Sequence, residues 1–260
     1  MRAVIALPLL VSLAMTTSSA AVKSHADGAL KVAYDACGDF SFEGSRFTLC
    51  RYDRSRHELQ LVVTDTRGKA LRRFSTLQRY LGVKAKKVVF AVNAGMYDDA
   101  GLPLGLYVEN GKERFSINGR DASGNFYLKP NGVFWIDERG AHVSDTQSYL
   151  KRSKTGLRVA TQSGPMLVIA GKLHPKFDAD GESRNIRNGV GTGWDGRVLF
   201  LMSKDRVSFG KFARAFRDHL GCEDALYLDG AVSSIWNGQT GRIDQRADLG
   251  PLIVVSEKAP

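Results

Sequence analysis

Four stretches of this chain share one arrangement, an apolar run that ends in polar side chains mixed with glycine. They are "VVFAVNAGMYD" with Asn93 and Gly95, "LRVATQSGPML" with Gln162, Ser163 and Gly164, "SRNIRNGVGTG" with Arg187 and Asn188, and "ALYLDGAVSSIW" with Asp229, Gly230, Ser233 and Ser234. A carboxyl, a guanidinium, carboxamides and hydroxyls at strand ends stand on rigid supports, and neighbouring glycines let a ligand come close to the backbone. That combination suits a small-molecule pocket. Taken singly, each residue has a plainer reading: Asn93 as a turn residue, Arg187 as a surface charge, Asp229 as the first position of a tight turn before Gly230. Four such stretches in one chain favour the pocket.

Other chemistries are excluded by what is missing. His57-Glu58 lacks the second histidine of a zinc-protease helix, and no Cys or His set has metal-ligand spacing. No phosphate-binding loop follows a strand, and no serine sits in a nucleophile elbow. "SFGK", "SYLK", "SIN" and "KTG" all occur, but in the wrong order and spacing for a Ser-Lys acyl-transferase. Asp178 and Asp180 before Gly181 start a calcium-like loop that no closing glutamate completes. The five histidines are scattered. The expectation is an enzyme site with no metal and no cofactor.

The elements that must position these residues are mostly strands. Apolar runs recur at "FTLCRYD", "ELQLVVTD", "KKVVFAVN", "LGLYVEN", "GVFWIDE", "GLRVATQ", "PMLVIAG", "RVLFLMS", "ALYLD" and "PLIVVS", separated by Asn110-Gly111, Asn131-Gly132, Asp195-Gly196 and Asn237-Gly238. "LGLYVENGKERFSIN" and "GVFWIDERGAHVSD" read as hairpins. Helical spacing is clearest in "SFGKFARAFRDHLG", where Ser208 can cap, Phe209, Phe212, Phe216 and Leu220 form a core stripe, and Gly221 can stop the helix. Shorter helices fit "FSTLQRYLG" and "TQSYLKR". The predicted class is α+β, a mainly antiparallel or mixed sheet with a few packed helices and a cleft at strand ends.

Arg2, the apolar run Ala3 to Met15 and the small residues of "TTSSAA" form a secretory signal peptide over residues 1–20, too short to span a bilayer. Residues 21–260 then make one domain, with 21–85 a possible accessory hairpin region, and the expected location is secreted or periplasmic, not membrane-spanning. In that oxidising setting Cys37 and Cys50, flanking a turn at Glu43-Gly44, pair as a disulfide, while Cys222 stays a buried thiol. The leader carries Arg2 and no acid, so the net charge falls only from +10 to +9 on its removal. Such an excess favours anionic partners. Nucleic acid is not among them, because the cations are dispersed and no binding motif is present.

"NAGMYD", "GNFYLKPNGVF", "ATQSGPMLV", "RNGVGTGWDGRVLF" and "LGCEDALYLDGAVSSIW", in this order between Val88 and Ser256, resemble the phosphodiester glycosidase family, in its bacterial secreted branch. Asn93-Ala94-Gly95 stands where mammalian members have Asn-Gly-Gly, Arg187-Asn188 where they have Arg-Thr, and Asp229-Gly230-Ala231-Val232-Ser233 where they have Asp-Gly-Gly-Gly-Ser. The resemblance implies hydrolysis of the bond between a sugar's anomeric carbon and a phosphodiester oxygen, on a small-molecule or polymeric sugar phosphodiester. It further implies Arg187 as the phosphate clamp, Asp229 as the carboxylate that stabilises or attacks the anomeric centre, and Asn93 as a third catalytic residue. Gly95, Gln162, Ser163, Gly164, Asn188, Gly230, Ser233 and Ser234 complete the substrate pocket. Asp98, Glu109 and Asp195 are candidates for a second carboxylate. Two alternatives stay open: an envelope protein that binds anionic glycans without turnover, and a phosphodiesterase that cuts the P–O bond.

Overall fold

The computed structural model describes residues 36–152 and 155–258; the expected leader lies outside them. In chain order the elements are β1 (Cys37–Phe42), β2 (Ser45–Tyr52), β3 (His57–Val62), α1 (Phe74–Leu81), β4 (Val88–Asn93), β5 (Tyr107–Glu109), β6 (Lys112–Phe115), β7 (Gly132–Ile136), β8 (Ala141–Asp145) and α2 (Thr146–Lys151). They continue with β9 (Val159–Ser163), β10 (Met166–Ile169), β11 (Lys172–Leu173), β12 (Asn188–Gly193), β13 (Val198–Ser203), α3 (Phe209–Arg214), β14 (Cys222–Tyr227), β15 (Ile235–Asn237), β16 (Ile243–Asp244) and β17 (Leu252–Glu257).

The strands form three sheets, ordered β1-β2-β13-β12-β14-β10-β11, β16-β15-β4-β17-β3 and β6-β5-β9-β7-β8. Every neighbouring pair whose register is defined runs antiparallel. Phe200 of the first sheet, Phe90 of the second and Phe134 of the third meet with ring centroids 5.5 and 5.8 Å apart and fix where the sheets pack. Because sheets cover both of their faces, β4 and β13 are buried at every residue and read as unbroken apolar runs instead of alternating ones. Asn110 and Gly111, at φ 50° and 75°, turn the β5–β6 hairpin as their sequence predicts. β1 and β2 form the hairpin expected across Glu43-Gly44, and the same region is built into two sheets, as β2 pairs with β13 and β3 with β17.

Ser208 caps α3 by accepting from the Lys211 N–H at 3.1 Å. Beyond Arg214 the helix does not continue as α but widens into a π turn over Ala215–His219, and Gly221 at φ +65° ends it. The wider turn seats the Phe216 ring directly over Gly189 and Gly191 of β12, where an added Cβ would stand 3.2 and 2.7 Å from that ring. Two glycines expected to admit a ligand therefore admit a core aromatic. Among the described residues, no helix is long and apolar enough to cross a membrane.

Cys37 faces Cys50 across the β1–β2 ladder and the two are bonded, 13 residues apart in sequence. A loop of that size corresponds to about 3 kcal/mol of stability. Cys37→Ser is expected to lower the free energy of unfolding by that order in a urea titration, and added reductant to have the same effect on the native sequence.

Candidate active site

Antiparallel pairing brings opposite ends of strands together. The C-terminal end of β14 lies beside the start of β12 through Gly189 and Tyr227, and the C-terminal end of β4 lies beside the starts of β15 and β17 through Ile235 and Leu252. The Asp229 N–H donates to the Ala94 carbonyl at 3.1 Å and ties the first sheet to the second. The third sheet joins through the Tyr227 N–H, which donates to the Pro165 carbonyl at 3.0 Å, and through Gly95, whose added Cβ would lie 2.3 Å from the Gln162 carbonyl oxygen. All four stretches singled out in the sequence thus meet at one place.

A buried network centred on Asn93 holds them. Asn93 Nδ2 donates to the Asp229 carbonyl at 2.6 Å, and Asn93 Oδ1 accepts from the Ser234 N–H at 2.9 Å and from Asn188 Nδ2 at 3.1 Å. Asn188 Oδ1 accepts from Ser233 Oγ at 3.2 Å, and that hydroxyl also reaches the carbonyls of Gly230 and Ile186. A carboxamide has both donors and acceptors on one rigid plane, so two of them can cross-link three strand ends where water is excluded. Asn93 and Asn188 spend most of that capacity on the protein itself and hold the loop that carries Asp229.

The Asp229 carboxyl is partly exposed, and its Oδ1 accepts from the Ala231 N–H at 3.2 Å. No Lys or Arg among the described residues pairs with it. Burial without a counter-ion disfavours the charged form, and the carboxyl is pushed up to about 6. Burial raises the hydroxyls of Tyr97 and Tyr227 and this carboxylate adds to both, while Arg187 opposes the rise at Tyr227, which still reaches about 12. A carboxyl that titrates near neutrality on a rigid strand end is equipped for covalent or acid-base work.

Arg187 lies one layer behind and is enclosed, with 1% of its surface exposed. Its Nε donates to the Val207 carbonyl at 2.9 Å, Nη1 to the Tyr227 hydroxyl at 3.2 Å and Nη2 to the Ser183 carbonyl at 2.6 Å, while the guanidinium carbon sits 3.6 Å from the Phe209 ring centroid. It has no carboxylate partner among the described residues, and burial lowers its pKa. Its link to Asp229 runs through Tyr227, whose hydroxyl lies against Gly230. An added Cβ at Gly230 would stand 1.7 Å from that oxygen. Gly230→Ala is therefore expected to displace Tyr227 or the Asp229 loop and to reduce turnover about 100-fold, as misplacements of about 1 Å do; steady-state kinetics beside a thermal melt would show both effects.

The remaining predicted residues divide by strand face. Gln162 is used by its own sheet: its Oε1 accepts from the N–H groups of Leu106 and Asn118 at 3.0 and 2.8 Å and its Nε2 donates to the Asn118 carbonyl at 2.9 Å, so it pins a loop. Ser163, one position on and hence on the opposite face, is buried with a hydroxyl that has no hydrogen-bond partner among the described residues. Gly164 packs on Phe126 and Asn131. Of the second-carboxylate candidates, Asp98 accepts from the Leu102 N–H at 2.9 Å in the loop after β4, and Glu109 faces Arg114 at 3.9 Å in the β5–β6 hairpin. Asp195 pairs with Arg197 at the β12–β13 turn, at the far end of β12 from Asn188, about 17 Å away at strand rise. Among the described residues, no three His, Cys, Asp or Glu side chains gather as a metal-ligand set. Sequence reading missed Tyr227, Ser183, Phe209 and Tyr97 as parts of this assembly. Only Tyr227 left a signal, being two residues before Asp229 and so on the same side of an extended chain.

A profile of the phosphodiester glycosidase family matches residues 86–251, which include every side chain of the network. The uncharacterized protein YigE of Escherichia coli K12 is 37% identical over 150 residues, 58% of this chain and 58% of that protein, so the chain spans less than two thirds of the relative's length. The zebrafish N-acetylglucosamine-1-phosphodiester alpha-N-acetylglucosaminidase catalytic domain, auto-inhibited by its pro-peptide, superposes with a TM-score of 0.59 at 14% identity over 86% of this chain and 82% of that one. A putative exported protein of Burkholderia pseudomallei gives a TM-score of 0.52 at 14% identity over 82% and 74%. At such identity these two likenesses are of fold.

Proposed function

The chain belongs to the phosphodiester glycosidase family, and from that membership we propose that it is an exported hydrolase that cleaves the bond between a sugar's anomeric carbon and a phosphodiester oxygen. The observation that carries the reading is Asp229: a partly exposed carboxyl without a counter-ion, pushed up to about 6, held where four segments of three sheets meet. A phosphate monoester leaves without a strong general acid, so the demanding step is stabilising positive charge at the anomeric carbon. Ionised Asp229 supplies that, as nucleophile or as electrostatic partner. Arg187 acts on the phosphate from behind, by polarising Tyr227. The Tyr227 oxygen accepts from Arg187 and keeps its own hydrogen to donate. Asn93 and Asn188 hold Asp229, with Ser233 and Ser234 tied into the same buried network. Export is supported by the bonded Cys37 and Cys50, since such bonds persist in oxidising compartments.

The test is a screen of sugar-1-phosphodiesters in oxygen-18 water. Cleavage at carbon puts the label on the released sugar. Label in the released phosphate would instead identify a P–O phosphodiesterase, and saturable binding with no product would identify a glycan-binding protein.

A further inference from the structure

Beside the Asp229 assembly lies a cavity of about 370 Å³, walled by Ile186, Met202 and Ser203 on one side and by Ile243 to Arg246 on the other. It opens at the same strand ends. Ser203 closes β13 next to the start of β12, its hydroxyl accepts from the Arg187 N–H at 2.9 Å, and the Ile186 carbonyl accepts from Ser233 Oγ at 3.2 Å. The wall of this cavity is therefore one residue from Arg187 and bonded to the loop that carries Asp229.

Its rim gathers Arg46, Lys204, Arg242 and Arg246 in a mainly polar lining to which Ile186, Met202 and Ile243 add the apolar part. Three carboxylates accompany them: Asp205 with Arg46 at 2.6 Å, Asp39 with Lys204 and with Arg242, and Asp244 with Arg242. These pairs hold three cations in place and leave one charge over. Arg246 is exposed and has no ion pair among the described residues, so its planar fork of donors is open to two oxygens of an incoming anion.

We propose that this cavity is the leaving-group subsite of the hydrolase described above, and that it selects sugar phosphodiesters whose aglycone carries a second anionic group beyond the scissile phosphate. The substrate class is then a phosphodiester-linked polyanion in place of a sugar phosphate with a short neutral ester. The sugar lies over Asp229, the scissile phosphate lies between it and the cavity, and the next anion meets Arg246.

The experiment uses the full mature chain and sugar-1-phosphodiesters made in matched pairs, one ester of each pair carrying glycerol and the other glycerol phosphate. The wild-type protein is expected to show at least a tenfold higher kcat/KM for the glycerol phosphate ester, and Arg246→Glu to bring that ratio near one. Equal use of both esters by the wild type, or an Arg246→Glu effect of the same size on both, overturns the subsite. If neither ester is hydrolysed, the hydrolase reading falls separately and the subsite is judged by calorimetric titration of the same pair. Tighter binding of the glycerol phosphate ester, weakened at least tenfold in Arg246→Glu, sustains it, and equal binding overturns it. Inorganic phosphate is titrated alongside; if it binds as tightly as the glycerol phosphate ester, the cavity is a free-anion site and the proposal fails.

Discussion

Asp229→Asn is expected to lower kcat by about 1,000-fold or more while making the protein harder to unfold. Both effects come from the same burial. The ordinary value of 3.8 is raised to about 6 because the carboxyl loses water and gains only the Ala231 N–H. Between those two values the folded chain holds a proton that the unfolded chain has released, so this group's contribution to stability falls as pH rises through the window and is fully unfavourable above about 6. A neutral carboxamide avoids that penalty and still accepts from Ala231. With discount for the water the carboxyl keeps, the gain near pH 8 is on the order of 1–2 kcal/mol, or a few degrees in Tm, and it vanishes below pH 4. Calorimetry at pH 4 and pH 8 measures the difference. On the proposed mechanism, which uses ionised Asp229, kcat/KM of the native protein should rise with pH through about 6 and then level. A profile that instead declines from pH 5 to 7 would make Asp229 the acid, and undiminished turnover in Asp229→Asn would remove it from the reaction.

The strands, the turns at Asn110-Gly111 and Asp195-Gly196, and the Ser208 cap were legible because each is a local matter of alternation, left-handed residues and a side-chain acceptor. The meeting of the four stretches was legible too, because polar residues just past apolar strands have few other places to go. Which way a side chain faces was not. Gln162 and Ser163 occupy opposite faces of β9, yet nothing within "ATQSGP" says which of them meets the loop of Leu106 and Asn118. The glycines misled for a related reason. A missing Cβ shows that something comes close, and only the tertiary neighbours reveal that it is Phe216 at Gly191 and the Tyr227 hydroxyl at Gly230. The pairing of β2 with β13 and of β3 with β17 was not legible, because those partners lie far along the chain.

Arg187 is the furthest from its sequence reading and has the largest expected effect on folding. Side chains of this type are almost never fully buried unless paired, so a surface position or an open clamp was the natural expectation. Its partners Ser183, Val207, Phe209 and Tyr227 come from separate places in the chain, and none is a carboxylate. Arg187→Ala strands two carbonyls and a hydroxyl, at about 1–3 kcal/mol each, and opens a void beneath Phe209. A total near 5 kcal/mol approaches the whole stability of many domains, so Arg187→Ala is expected to melt at least about 10 °C lower or to accumulate unfolded. Arg187→Met, which refills the volume, separates packing from charge. It should fold at low temperature, yet turn over sugar phosphodiesters about 100-fold more slowly, because Tyr227 loses the donor that orients it. The charge itself is read by linkage. A buried cation with no counter-ion stabilises any anion that settles near Tyr227, so millimolar phosphate should raise the Tm of the native protein and leave that of Arg187→Met unmoved. Equal phosphate stabilisation of the two would mean that the anion is held elsewhere and that Arg187 serves the fold alone.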